Sequence, residues 1–124
     1  MRPRLEDASQ IRGHILRLPR IEPFTVTATG STNADAAQLY ETVNNVLGAN
    51  ATKGVILPVP SGKGAQCWVK NDDTANAVLK VYPSSGQKIN GGSADAALSM
   101  AAKTFAWFYS IDGANWETLP LLPS

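Results

Sequence analysis

The sequence predicts an all-β protein: a single β-sandwich or jelly-roll-like domain carrying an extended N-terminal arm. Short runs of β-branched and aromatic residues recur along the chain, most densely from Ala65 to Leu119, as half-buried strands require. Between them lie clusters of Gly, Pro, Asn, Asp and Ser, the residues of tight turns. The first twenty residues are different in kind: they hold all five arginines and no lysine.

Taken in order, residues 1–23 form the arm, residues 24–119 the β-body and residues 120–124 a short tail. In the arm, Ile11, Ile15 and Leu18 have helical spacing and Asp7 or Ser9 can cap a turn. Gly13 and Pro19 oppose a long helix, so a short helix and an extended segment both fit. Phe24–Thr29 (FTVTAT) alternates as a strand, and Gly30–Asn33 is a loop. Ala34–Leu47 satisfies both periods; Asn44-Asn45 disfavours a helix, and a strand from about Gln38 to Val46 is expected. Gly48–Thr52 is a turn, Gly54–Pro58 a short buried strand and Pro60–Gly64 a glycine-rich hairpin loop.

Ala65–Asn71 and Ala77–Tyr82 are expected to pair as a β-hairpin across the polar link Asp72–Asn76. Pro83–Gly86 turns the chain, Gln87–Asn90 is a brief strand and Gly91–Ser93 a loop. Ala97–Met100, Thr104–Ser110 and Trp116–Leu119 complete the body. No repeat of solenoid type is legible.

Length and composition suit one folded domain: 124 residues, 44% apolar and 17% charged. A net charge of +1 gives no reason to expect nucleic acid or an anionic membrane as partner. The charges are nevertheless segregated, since all six lysines follow the arginines. Arginine makes planar, multi-donor contacts suited to interfaces, and lysine is a solvated surface charge. The arm is therefore expected to be a contact element, with Arg2, Arg4, Leu5, Arg12, Ile15, Leu16, Arg17, Leu18, Arg20 and Ile21 as its contact residues. A loose basic leader is the alternative. Its apolar residues are too few to bury one another, so they require the body, a sister subunit or another protein. No apolar stretch reaches the length of a membrane span, nor does the N-terminus have a signal-peptide core; no export through a secretory signal is expected.

Each candidate for chemistry has a plainer reading. Cys67 is the sole cysteine and His14 the sole histidine, far apart in the chain. Cys67 reads as a buried apolar residue and not as a nucleophile. Ser61-Gly62-Lys63-Gly64 lacks the glycine frame and the Ser or Thr of a phosphate loop. Asp72-Asp73, with Asn71 and Asn76, lacks calcium-hand spacing and reads as a turn. Asp35, Glu41, Asp95, Asp112 and Glu117 form no pair whose surroundings would split their acidities. No enzymatic activity, metal or cofactor is expected. Among the tryptophans, Trp68 and Trp107 read as core or subunit interface, and Trp116 as the best candidate for an exposed ring.

Five segments in order, Val55–Pro58, Val69–Asp72, Val81–Gly86, Ile89–Gly91 and Ser110–Trp116, together with Ala36, Leu39, Asn44 and Val46, resemble a pattern of tailed-bacteriophage structural proteins. There it runs LP, V-x-N-D, V-x-P-x-x-G, I-N and D-G-x-x-W. The resemblance covers roughly residues 34–119 and leaves out the arm. It implies a β-rich virion component: a head decoration or cement protein, or a head-fibre or tail-fibre module, often trimeric and with no catalytic residues to carry over. The expectation is a capsid decoration protein on the outer surface of the head, made in the host cytoplasm. Its partners would be the major capsid protein and its own copies, as a trimer. A fibre module recognising host-surface glycan is the alternative.

Overall fold

The computed structural model describes residues 21–123, which fold as an all-β body of two mixed sheets. Nine strands are present among them: β1 (Phe24–Thr27), β2 (Ala37–Gln38), β3 (Val43–Leu47), β4 (Gly54–Ile56), β5 (Gln66–Asn71), β6 (Leu79–Tyr82), β7 (Leu98–Met100), β8 (Phe105–Tyr109) and β9 (Glu117–Leu119). One sheet has the order β1-β3-β5-β8-β9 and the other β2-β4-β6-β7.

The chain alternates between the sheets from β1 to β6. Each return to a sheet is in the same direction, so β1, β3 and β5 pair in parallel, as do β2, β4 and β6. The result is three turns of a flattened coil. It closes with antiparallel strands, β7 beside β6 and the β8–β9 hairpin beside β5. Parallel neighbours need a crossover connection, and here that crossover is a strand of the opposite sheet.

Two expectations are corrected by this path. The single strand expected over Gln38–Val46 is two strands in different sheets, split by the bend at Leu39–Thr42. Leu39, fully buried at the bend, places its apolar side chain in the core, and this fixes where the chain must turn. The expected Ala65–Tyr82 hairpin is likewise absent: β5 pairs with β3 and β8, and β6 with β4 and β7. The link Asp72–Asn76 carries the chain across the core to the other sheet. Pro60–Gly64 is also a crossover between sheets, not a hairpin loop. Corresponding positions of successive coils are Phe24, Asn44 and Val69, steps of 20 and 25 residues; unequal spacing and unlike residues hide the winding from the sequence.

One core lies between the sheets. The five-stranded sheet contributes Val26, Val46, Cys67, Val69, Ala106 and Phe108, and the other Val55, Leu79, Val81, Leu98 and Met100. The strands alternate in burial as a pleat with one inward face demands. At the end of the described chain the tail packs on the body: Leu122 is buried, and Ser99 on β7 donates its N–H to the Pro123 carbonyl (2.9 Å). The outer edge of β7 is thereby partly paired, which blunts an exposed sheet edge.

Candidate functional site: the outer face of the five-stranded sheet

The pleat turns Val43, Asn45 and Leu47 of β3, Gln66, Trp68 and Lys70 of β5, Phe105, Trp107 and Tyr109 of β8, and Glu117 and Leu119 of β9 away from the core. Strand register aligns four of them in a row across the sheet: Val43, Trp68, Trp107, Leu119. Trp68 stacks on Trp107 (centroids 5.5 Å, planes 23° apart) and on Phe105 (5.4 Å, 16°), and Trp107 lies against Tyr109 (5.1 Å). Such cross-strand aromatic pairs contribute about 0.5–1.5 kcal/mol each beyond burial. Trp107 Nε1 donates to Gln66 Oε1 (3.0 Å), which holds its indole along the sheet.

These rings are not buried. Trp68, Trp107 and Tyr109 are half-buried, Phe105 is 46% exposed and Leu119 65% exposed. The other sheet contrasts with this. Its outward positions include Gln38, Lys80, Tyr82 and Ser99, with Lys80 Nζ donating to Ser99 Oγ (2.9 Å) and Tyr82 Oη to the Ser31 carbonyl (2.7 Å). Among the described residues, one of the two outer faces therefore carries an aromatic strip and the other does not, and an exposed apolar strip with polar margins is the usual mark of a contact surface.

Two shallow hollows lie on this face. Ile21, Val43, Gln66 and Trp68 border one, with Glu41 also in its lining. Pro23, Val43, Lys70 and Phe105 border the other, with Asp72 at its margin. The described chain therefore begins at this face. Of the arm residues expected to make contacts, Ile21 lies here and is 66% exposed. Arg2, Arg4, Leu5, Arg12, Ile15, Leu16, Arg17, Leu18 and Arg20 lie outside the described residues, as does His14.

The exposed position expected for Trp116 is corrected, as is the core alternative for Trp68 and Trp107; their interface alternative is compatible with a place on the surface. Trp116 is fully buried and donates Nε1–H to the Pro58 carbonyl (3.3 Å), while Trp68 and Trp107 form the surface strip. The isolated bridge of Trp116 to Ile89 draws the ring inward, a long-range contact that local sequence does not reveal.

The candidate carboxylates are occupied in loops. Asp35 Oδ1 accepts from Ser31 N–H, Thr32 N–H and Thr32 Oγ1 (2.9–3.0 Å). The Thr32 backbone bond, first among these, holds its carboxyl below the usual range. Asp112 accepts from the N–H groups of Asn115 and Ala114 and from the Asn115 amide, and these bonds push its pKa down to about 2. Asp95 accepts from Gly86 N–H (2.6 Å) and Asn33 (3.2 Å). Glu41 accepts from Ser61 N–H and Oγ, so part of the glycine-rich loop is satisfied by the protein's own carboxylate. Asp73 caps Ala75 and Ala77. Asp72 takes the Asn45 amide and lies 3.5 Å from Lys103, and both hold its carboxyl below the usual range. Glu117 lies exposed on β9. Cys67 is fully buried; removal from water, then the Glu41 charge, pushes its thiol up to about 12 despite the Asn44 amide. Among the described residues no group of three His, Cys, Asp or Glu side chains is placed to hold a metal ion.

No protein-family model matches the chain, and no curated protein matches it either.

Proposed function

We propose that this protein is a structural subunit of a tailed-bacteriophage virion, a decoration protein that binds the outer surface of the head as an oligomer, a trimer by the resemblance. The observation that carries the reading is the aromatic strip on one outer face only. It gives a β-body a defined side on which to be seated, and the described chain begins at its margin. The ordered resemblance over residues 34–119 supports the same class. In this reading the arginines of the arm supply charged contacts to the major capsid protein. Seating several copies on a symmetric shell turns weak single contacts into firm attachment. Electron microscopy of purified virions, with stoichiometry against the major capsid protein, tests this. The protein should occur in a fixed ratio to that subunit, with density on the head exterior. Density confined to the tail, or absence from the particle, overturns the reading.

The strip is also what a glycan-recognising fibre module would use. Trp68 already stacks against two rings of its own sheet, which reduces the π surface left for a sugar. A glycan array with the wild type and Trp107→Ala separates the two. The decoration reading expects no sugar signal that depends on Trp107, and a signal lost in the variant favours the fibre module.

A further inference from the structure

We propose that Asn90 is a site of spontaneous deamidation, held closed by its contact with β9 and opened when that strand lifts. The chain has a single Asn-Gly step, Asn90-Gly91. There the backbone nitrogen of Gly91 can attack Cγ of Asn90, because glycine has no side chain to hinder the approach. The N–Cγ bond forms, the Cγ–Nδ2 bond breaks, and Nδ2 leaves as ammonia with the Gly91 amide proton. Water then opens the cyclic imide at either carbonyl. One product has aspartate at position 90. The other has isoaspartate, whose main chain runs through Cγ and is longer by a methylene. Water is the only co-reactant.

The fold holds the two reacting groups out of position. Asn90 (φ 53°) and Gly91 (φ 70°) form a turn closed by the Gly92 N–H on the Ile89 carbonyl (3.0 Å). Two left-handed residues in succession are what makes Asn-Gly the preferred pair for such a turn. Ring closure requires the Gly91 nitrogen to swing over Cβ of Asn90, which opens the turn. The carboxamide is engaged as well: Nδ2 donates to Thr118 Oγ1 (2.7 Å) and Oδ1 accepts from Thr118 N–H (2.9 Å). Asn90 N–H donates to the Trp116 carbonyl (2.8 Å). These ties all end on β9 or the residue before it. The nucleophile, by contrast, is accessible: Gly91 is exposed, and its N–H has no hydrogen-bond partner among the described residues. β9 is a short strand at the end of its sheet, an element of the kind that opens locally before the whole fold does. Its release is therefore the gate. Conversion is one-way, because a carboxylate cannot donate to Thr118 Oγ1 and the longer main chain no longer fits the turn. β9 then stays loosened, and with it Leu119 at the end of the aromatic row. The proposal stands independently of a virion role.

The test is peptide mass spectrometry, with enzymatic methylation of isoaspartate, on the full chain aged at mildly alkaline pH. In the folded wild type, aspartate and isoaspartate at position 90 should accumulate more than about tenfold slower than in urea. Thr118→Val removes the Oγ1 acceptor. It should speed conversion in the folded protein about three- to tenfold and leave the rate in urea unchanged. Thr118→Ser keeps the oxygen and should match the wild type. Asn44→Ala weakens the fold elsewhere and should change the rate by less than about twofold. Equal rates in the folded and urea-treated wild type, or no effect of Thr118→Val, overturn the proposal. Acceleration by Asn44→Ala as large as that by Thr118→Val assigns the reaction to global unfolding, and the β9 gate is overturned.

Discussion

At the scale of single residues, the body depends on a few polar side chains placed where the chain changes sheets. Asn44 is fully buried at the entry to β3. Its amide donates to the carbonyls of Tyr40, Thr42 and Trp68 (3.0–3.1 Å), and its carbonyl accepts from Tyr40 N–H. Asn71 does the same at the exit from β5, donating to the Ala77 and Met100 carbonyls. Buried polar groups cost little when paired and much when stranded. Asn44→Ala should therefore destabilise the fold by about 2–3 kcal/mol, read as a lower urea midpoint with an unchanged slope. Gly30 has φ +69°, and a Cβ there would run into the Asp35 carboxylate; Gly30→Ala should cost more than about 1 kcal/mol in the same assay. Asp112 illustrates the pH dependence. Its folded pKa, about 2, lies below the ordinary 3.8, so in that interval the unfolded chain binds more protons. Its contribution is complete above pH 3.8 and is lost as pH falls through about 2. Tm should decline over that window, and Asp112→Asn, which keeps an oxygen for the turn, should flatten the decline.

At the scale of elements, burial of Trp116 joins the loop before β9 to the β4–β5 crossover through Pro58. Asn90 and Thr118 add a reciprocal pair, Nδ2 to Oγ1 at 2.7 Å and Thr118 N–H to Oδ1 at 2.9 Å. Together they fasten β9 to the loop after β6. Trp116→Ala should cost about 3–5 kcal/mol, whereas Trp107→Ala, on the outer face, should cost clearly less; paired urea denaturation curves check the order. The buried Cys67 thiol, on the inward side of β5, should resist alkylation at pH 8 until the protein is unfolded. Mass spectrometry with and without denaturant reads this.

At the scale of the whole molecule, the coil makes most strand pairings distant in sequence: β3 with β5 across the excursion through β4, β5 with β8 across β6 and β7. Loop closure must precede the contacts that reward it, so such topologies fold slowly. Refolding should take milliseconds to seconds, not microseconds, by stopped-flow tryptophan fluorescence. The winding also creates the asymmetry on which function is proposed to rest. Outward positions from β3, β5, β8 and β9, far apart along the chain, meet as one apolar row on one face.

What the sequence determined by itself is local. The β class and the sites of most turns followed from residues whose backbone preferences act within a few positions, such as the Pro60–Gly64 and Asp112–Asn115 loops. The pairing of β5 and β6 and the single strand over Gln38–Val46 were misread because the same alternation suits a hairpin and a crossover between sheets. Only the tertiary structure decided which strands share a sheet, that Trp116 is core and that Trp68 and Trp107 are surface. All three aromatics stand in strand-like surroundings, and what separates them is the partner each meets across the core or the sheet. Those partners are set by packing of distant segments, and no short-range pattern encodes them.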